Sequence, residues 1–172
     1  MLLKDEDQRA TYEDLLGRYL AALRRLVRCY TRDDHDDLLQ EIAMGLWTAL
    51  PRFRGDSSER TWVYRVAHNT AISFVTGRRR RSQREQSWNG PEFPEVAASP
   101  ESNVIQDEQR LRLWAAVEAL PLADRQIVVL HLEGLSAAEI EAVTGLNAGA
   151  VATRLTRVRQ RLVSRVRGGA TA

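Results

Sequence analysis

Apolar residues recur at steps of three and four along most of the chain, which is the period of an amphipathic helix. The first two such stretches run from Leu15 to Val27 and from Leu38 to Leu50. A third begins at Trp62, after the turn-forming segment 55–58. It is expected to end at Gly77 and the arginines that follow, because cations stabilise the negative end of a helix dipole. The pattern predicts a three-helix unit.

The carboxyl-terminal part of the chain shows the same helical period. Apolar helices are predicted over residues 104–120 and 124–132. Ser136 is expected to cap the short helix that follows it, the segment 145–147 to form a tight turn, and Ala148 to begin a longer helix. A short helix, a glycine turn and a longer helix are typical of a helix-turn-helix motif.

A segment rich in proline and serine separates the two parts. Three of the five prolines fall between residues 82 and 103, where no helical or alternating period survives. The chain is therefore divided into a unit over 1–81, a flexible linker over 82–103 and a unit over 104–172. Since neither unit is strand-rich, the predicted fold class is all-α, with two small helical domains joined by a linker.

Composition narrows the class of protein further. The 172 residues are 44% apolar and 28% charged, which is typical of a soluble folded chain. No stretch approaches the ~18 consecutive apolar residues of a membrane span, and the amino terminus turns acidic, so a cytoplasmic protein without membrane insertion is expected. Cys29 is the single cysteine, which excludes an internal disulfide and a cysteine-rich zinc cluster.

Charge is unevenly distributed along the chain. The net charge is +2, yet residues 61–84 carry six basic and no acidic side chains, and residues 121–172 carry seven basic and four acidic ones. Residues 1–60 are slightly acidic, with 10 basic and 12 acidic side chains. Two separate basic blocks indicate two contacts with a polyanion, although either block alone is also compatible with a solvated surface.

The helix that begins at Ala148 has the composition of a DNA-reading helix. Six arginines and no acid follow Gly145, so several phosphates can be neutralised while polar side chains contact base edges in the major groove. A helix pair around a glycine turn also occurs without any DNA function. Opposite the apolar stripe lie four polar residues with two arginines on a flank: Thr153, Thr156, Arg157 and Gln160, with Arg154 and Arg161.

The mid-chain basic block contains aromatic residues among its cations. Unpaired bases stack on aromatic faces, an amide reads their edges and arginines hold the phosphates, so this composition favours single-strand binding. Trp62 as a core residue and the arginine run as a helix end are the structural alternatives. The residues concerned are Phe53, Trp62, Tyr64, Arg65, His68, Asn69 and Arg78 to Arg81.

The sequence contains few features that would support an enzymatic function. The acidic run Asp33 to Asp37 invites a metal-dependent hydrolase with His35 as a further ligand. Consecutive helical residues point in different directions, however, and aspartates in a first turn satisfy free amides and the helix dipole. The histidines are scattered, and no phosphate-cradling glycine loop is found. No catalytic residue, cofactor or metal ligand is predicted.

In this order, the segments resemble the extracytoplasmic function (ECF, group IV) class of bacterial sigma factors in the sigma-70 superfamily. The segment DDLLQEIAMGLW, residues 36–47, resembles region 2.2, residues 53–74 resemble regions 2.3 and 2.4, and residues 120–162 resemble region 4. The resemblance implies a non-enzymatic promoter-specificity subunit. Such a subunit binds core RNA polymerase, recognises the minus-35 and minus-10 promoter elements and assists DNA melting.

The resemblance also implies partners and contact residues. Region 2.2 of the family docks on the β′ clamp helices of core polymerase and region 4 on the β flap; an anti-sigma factor is implied as well. The implied polymerase-binding residues are Asp37, Leu38, Gln40 and Glu41. The implied minus-10 residues are Phe53, Arg54, Gly55, Asp56, Ser57, Ser58, Trp62, Arg65, Asn69, Arg78, Arg79, Arg80 and Arg81. The implied minus-35 residues are Ala148, Thr153, Arg154, Thr156, Arg157 and Arg161.

The chain departs from the family's usual pattern at several positions. Ala152 stands where a basic residue is common, so one contact to DNA is expected to be missing. Glu141 replaces the usual alanine in the first helix of the helix-turn-helix and is expected to loosen its packing. His68 replaces a frequent arginine, and Ser73 with residues 76–77 replaces the more usual residues before the basic run.

Two other functions stay open. A helix-turn-helix regulator that acts without polymerase accounts for the second unit and leaves the first unexplained. The metal-dependent hydrolase at Asp33 to Asp37 is the other. Attraction between the acidic residues of 1–60 and the basic carboxyl-terminal tail is expected to favour packing of the two units.

Overall fold

The computed structural model describes residues 2–85, 113 and 115–168. These residues are helical, with no strand among them, which confirms the all-α prediction. The described helices are α1 (Leu2–Val27), α2 (His35–Ala49), a 3-10 turn (Leu50–Arg52), α3 (Glu59–Glu85), α4 (Leu122–Leu132), α5 (Ala137–Thr144) and α6 (Ala148–Gly168).

The core of the first unit follows the helical period seen in the sequence. Leu23 and Leu26 of α1 and Leu38, Ile42 and Leu46 of α2 have no exposed surface. Their spacing of three and four places each set on one helix face. Burying such a side chain stabilises a fold by about 1.5 to 3 kcal/mol, so these contacts set how α2 lies on its neighbours.

A glycine allows α2 to approach α3 closely. A Cβ atom at Gly45 would lie 2.9 Å from Oγ1 of Thr70, closer than carbon and oxygen normally come. A larger residue would require the Thr70 side chain to move or the helices to separate. Gly45 therefore permits the close approach of α2 to the middle of α3, which carries Asn69.

Helix α3 is longer than predicted. It runs through Gly77 to Glu85, so the expected end at Gly77 is wrong. Gly77 has no positive φ, and the arginines after it are good helix formers, so the cost of one interior glycine, roughly 1 kcal/mol, does not stop the helix. The helix extends over the first four residues of the predicted linker, and residues 86–103 lie outside the described part.

The helix predicted over 104–120 is described only at its end. Residues 115–118 are helical and Pro121 precedes α4. Residues 104–112 and 114 lie outside the described part.

The helix-turn-helix forms as the sequence predicts. The Ser136 hydroxyl accepts a hydrogen bond from the Glu139 amide at 3.3 Å, and the Glu139 carboxylate accepts one from the Ser136 amide at 2.9 Å. This reciprocal capping box starts α5. Gly145 ends α5 with φ of 73°, a left-handed conformation that glycine adopts without strain.

The two units pack against each other, but the ion pairs at the contact have the opposite polarity to the expected one, in which acids of the first unit attract the basic tail. Arg25 and Arg60 of the first unit pair with Glu133 and Glu139 of the second. The first unit therefore supplies cations and the second supplies acids. Buried apolar residues of both units also belong to one continuous core.

Candidate nucleic-acid interface

Helix α6 has one buried face and one exposed polar face. Val151 and Val158 are buried, whereas Thr153, Thr156 and Arg157 are exposed. The threonine hydroxyls donate to the backbone carbonyls four residues earlier, at 2.9 Å and 3.0 Å. Since each hydroxyl proton is used in this way, its oxygen is left to accept hydrogen bonds from base amines. We call this exposed surface the α6 face.

Two arginines on the flank of α6 have an acidic partner that the sequence did not reveal. Asp124 of α4 lies 3.2 Å from Nη1 of Arg154 and 3.8 Å from Nη1 of Arg161. The Asp124 side chain is only 15% exposed. Both arginines therefore hold α6 against α4, and Arg157 is the cation of the α6 face itself.

The amino-terminal end of α6 carries a carboxylate from the preceding helix. The Ala148 amide donates to Oε2 of Glu141 at 3.0 Å, and the Gly149 amide donates to Oδ1 of Asn147 at 2.9 Å. The Glu141 side chain is exposed rather than wedged between α5 and α6. The expectation that Glu141 loosens the packing is therefore wrong, since the residue caps α6 instead.

The loop before α3 presents a set of exposed residues. Arg54, Gly55 and Asp56 are exposed, and Gly55 turns the chain with φ of 79°. Ser57 Oγ is buried and has no hydrogen-bond partner among the described residues. Ser58 Oγ accepts from the Thr61 amide at 3.1 Å and so caps the start of α3.

The aromatic pair beside this loop belongs partly to the core. Trp62 is 6% exposed, which supports the structural alternative for this residue. Its ring lies 4.9 Å from that of the half-buried Phe53, tilted by 36°. Phe53 covers Trp62, so Phe53 is the ring of the pair that a base can reach.

Farther along α3, Arg65 and Asn69 share one face, whereas Arg78, nine residues after Asn69, lies on the opposite side of the helix. Asn69 is exposed, and Arg65 lies one turn earlier and is half-buried. Arg78 is exposed and pairs with Asp34. The side chains of Arg79, Arg80 and Arg81 lie outside the described part of the chain.

His68 occupies the interior rather than the basic surface. It is 7% exposed, and its Nδ1 lies 2.6 Å from the hydroxyl of Tyr30, which is also buried. Burial lowers the pKa of His68 and raises the pKa of Tyr30. The Tyr30 hydroxyl and the neutral His68 imidazole therefore share a hydrogen bond that ties α3 to the turn after α1. This pairing joins residues 38 apart in the chain, and the helical period does not predict it.

The residues implied for polymerase binding divide into exposed and buried ones. Asp37, Gln40 and Glu41 are exposed, but Leu38 has no exposed surface. The expectation that Leu38 contacts polymerase is therefore wrong, because its side chain faces the core and packs α2 against the rest of the unit.

Two large apolar residues continue the exposed side of α2. Met44 is 49% exposed and Trp47 is 38% exposed. The Trp47 ring packs edge-on against Tyr12, with 5.1 Å between ring centres. Their distance of four and seven residues from Gln40 is the signal that places them on the same side. We call Asp37, Gln40, Glu41, Met44 and Trp47 the α2 face.

The acidic run beside α2 is tied to other partners. Asp34 pairs with Arg78, and the ring of His35 bonds the Thr31 carbonyl at 3.0 Å. Within residues 2–85 and 115–168 no three histidine, cysteine or acidic side chains are grouped as a metal site would need. The hydrolase alternative gains no support from this geometry.

None of the helices among the described residues is both long and apolar enough to span a membrane.

Cys29 is buried, which raises the pKa of its thiol to about 12. The thiol is therefore protonated and unreactive at neutral pH.

Comparison with known families gives two adjacent matches. Residues 11–81 match the family model Sigma-70 region 2, and residues 110–162 match Sigma-70, region 4. The chain is 32% identical to the ECF RNA polymerase sigma-E factor of Escherichia coli K12, over 93% of this chain and 88% of that protein. It is also 32% identical to the ECF RNA polymerase sigma factor SigG of Mycobacterium tuberculosis, over 80% of this chain and 44% of that protein.

Solved structures show the same fold. The sigma factor RpoE of Bartonella quintana, in complex with the anti-sigma factor NepR, matches with a TM-score of 0.70 and 24% identity over 91% of this chain and 97% of that one. CnrH, in complex with the cytosolic domain of CnrY, matches with a TM-score of 0.64 and 24% identity, covering 95% and 91% of the two chains. With both sigma regions matched in order and a relative similar along nearly its whole length, the chain belongs to the ECF class of the sigma-70 family and is a promoter-recognition sigma subunit of RNA polymerase.

Proposed function

We propose that the α6 face reads the minus-35 element as duplex while the first unit captures unpaired bases of the minus-10 element. The observation that carries this proposal is that an exposed polar face without acids lies on the second helix of a helix-turn-helix. A second and chemically different surface, with a loop, an aromatic ring and an amide, lies in the other unit. The regulator alternative leaves this second surface without a role.

At the minus-35 element, Arg157 is the direct reader. Its guanidinium is exposed and suits the O6 and N7 acceptors of guanine. Thr153 and Thr156 accept from base amines. Arg154 and Arg161 act on the flank, where their charges add to phosphate attraction while Asp124 holds them in place.

At the minus-10 element, the loop 53–58 and Asn69 hold a flipped base. The exposed Gly55 has no side chain to keep the nucleic acid away. Phe53 supplies an aromatic face for stacking, and the Asn69 amide both donates to and accepts from a base edge.

Melting in this scheme needs no covalent step. Trapping an unpaired base lowers the free energy of the open form and leaves that of the duplex unchanged, so the equilibrium shifts toward the open form. No catalytic residue is assigned, and the chain acts by binding alone.

The α2 face docks on the β′ clamp helices of core polymerase. It combines exposed acids and an amide with Met44 and Trp47, and apolar anchors within a polar rim suit a specific interface. The second unit reaches the β flap. An anti-sigma factor is a further proposed partner, because one similar solved structure, RpoE of Bartonella quintana, is a complex with the anti-sigma factor NepR. A protein working with polymerase on DNA is placed in the bacterial cytoplasm.

The test is selection of DNA by the assembled holoenzyme. Core polymerase with this chain is incubated with a pool of genomic fragments, and the retained fragments are sequenced. The proposal predicts two shared sequence blocks at a constant spacing. Arg157→Ala weakens selection at the upstream block and Asn69→Ala at the downstream one; a single palindromic block that is retained without polymerase would favour the regulator alternative.

A further inference from the structure

The first turn of α6 lacks polar side chains of its own. Residues 148–150 are alanine, glycine and alanine. The backbone amides of this turn bond two side chains from outside the helix: Asn147, which accepts from the Gly149 amide, and Glu141 of α5, which accepts from the Ala148 amide. These two residues add polar groups to this end of α6, beside the Thr153 hydroxyl on the Gly149 carbonyl.

This end of α6 is where a reading helix meets base edges. In helix-turn-helix proteins the amino-terminal residues of the second helix enter the major groove. Glu141 is exposed and reaches across the turn to that end of α6. Its carboxylate therefore lies at the amino-terminal end of the helix that carries the α6 face, and the residues from Gly145 onward include no acid.

A carboxylate at this point discriminates between bases. It only accepts hydrogen bonds, and the Ala148 amide engages Oε2, which leaves Oε1 for a base. In the major groove cytosine presents the N4 amine, a donor, whereas guanine presents O6 and N7, which are acceptors. Cytosine therefore donates a hydrogen bond to the Glu141 carboxylate. Guanine at the same position would place two acceptors, O6 and N7, opposite the carboxylate, where no hydrogen bond can form.

We propose that Glu141 is a specificity-determining residue that selects cytosine at the base pair facing the amino-terminal end of α6. This inference rests on the proposed reading of the minus-35 element by α6. It gives a chemical role to a residue that the sequence marks only as an unusual replacement for alanine.

The experiment uses holoenzyme and a pool of promoters whose upstream block is randomised. The wild-type chain is expected to enrich cytosine at one position of that block. Glu141→Ala is expected to reduce this enrichment by about fivefold or more, as loss of one base contact would. Glu141→Gln is expected to move the preference from cytosine toward purines, because its oxygen caps Ala148 and its amide nitrogen, a donor, replaces Oε1 and faces the N7 acceptor of a purine.

Two controls keep the result interpretable. Glu118→Gln removes one negative charge from the second unit, as Glu141→Gln does. The charge of Glu118 helps to raise the pKa of the Cys29 thiol in the first unit, so this variant is expected to leave base preferences unchanged. Glu141→Gln keeps an oxygen that can cap Ala148, so a folded variant remains for comparison. Circular dichroism of each variant checks the fold.

The outcomes separate this inference from the function it rests on. Wild-type base preferences retained in Glu141→Ala, or uniformly tighter binding to all sequences, would overturn the role of Glu141, because a mere cap or repulsive charge behaves in that way. Absence of any preferred upstream block with the wild-type chain would overturn the proposed reading by α6.

Discussion

Arg25 and Glu133 form a two-point ion pair across the boundary of the two units, with Nε to Oε1 at 2.5 Å and Nη2 to Oε2 at 2.8 Å. The Tyr64 hydroxyl donates to the same carboxylate at 3.2 Å. Glu133 thus joins α1 and α3 to the end of α4, and its side chain is only 11% exposed. A carboxylate so withdrawn from water depends on these partners.

Glu133→Gln is expected to lower the free energy of unfolding by about 1 to 3 kcal/mol, the range for hydrogen bonds to charged groups. The amide keeps the size of the side chain but turns a donor toward the Arg25 guanidinium, which itself only donates. Chemical denaturation at neutral pH measures the change.

Glu13→Gln is the matched control for that substitution. Glu13 also pairs with an arginine, Arg9, at 3.0 Å, but both side chains are well exposed. Its replacement is expected to cost at most ~0.5 kcal/mol. Equal losses for the two variants would show that Glu133 does not stabilise the contact between the units.

The lowered pKa of Glu139 predicts that the folded chain loses stability in acid. Hydrogen bonds from the Ser136 amide and hydroxyl, helped by Arg60, lower the pKa of Glu139 to about 2 from an ordinary value of 4.5. Since the folded state binds this proton less tightly than the unfolded state, the stabilisation is complete above pH 4.5 and is lost as the pH falls toward about 2.

The measurement compares unfolding of the wild-type chain and Glu139→Gln between neutral pH and pH 2. The difference in stability is expected to shrink on acidification, because the glutamine variant has no carboxylate to protonate. A difference that stays constant with pH would contradict the lowered pKa of Glu139.

The sequence predicted the helices well because burial in a small helical fold follows the helical period. It placed the capping box at Ser136 and the turn at Gly145, where local chemistry decides the conformation. It failed at Gly77, because helix termination there depends on the balance of propensities rather than on one residue.

The surfaces were less predictable than the helices. Exposure of Thr153 and Arg157 follows from periodicity. The pairing of Arg154 with Asp124, 30 residues away, depends on how two helices cross, which periodicity does not contain. Burial of Leu38 was available from its place in the apolar stripe, and the family resemblance outweighed that signal.

Burial of His68 is expected to make stability depend on pH in a second, less acidic range. Burial lowers its pKa below the ordinary 6.5, so the unfolded chain takes up the proton first. Stability is therefore expected to fall as the pH drops below about 6.5 and to level off below the folded-state pKa. His68→Gln, which can still accept from Tyr30, is expected to lose this slope; an unchanged slope in thermal unfolding would contradict it.

Arg154 and Arg157 are expected to respond oppositely to substitution. Arg157→Ala should weaken binding to the minus-35 element by about 1 to 3 kcal/mol and leave unfolding nearly unchanged. Arg154→Ala should lower the unfolding free energy by about 1 kcal/mol, because the half-buried Asp124 loses the nearer of its two arginine partners. Binding and denaturation curves of both variants distinguish the roles, and identical profiles would argue against them.

Asn69→Ala tests the capture of an unpaired base. Since the Asn69 side chain is exposed, the variant should fold normally. It is expected to reduce open-complex formation by about tenfold, as loss of a base-edge contact would. Closed-complex binding should change little, and an equal loss of both would remove Asn69 from the capture site.

The most direct test of the whole account is transcription in vitro with purified core polymerase on a genomic library. The account predicts new start sites that appear only when this chain is added, each preceded by the same two sequence blocks. If purified chain free of inhibitors bound core polymerase and directed no initiation at any start site, the account would be contradicted.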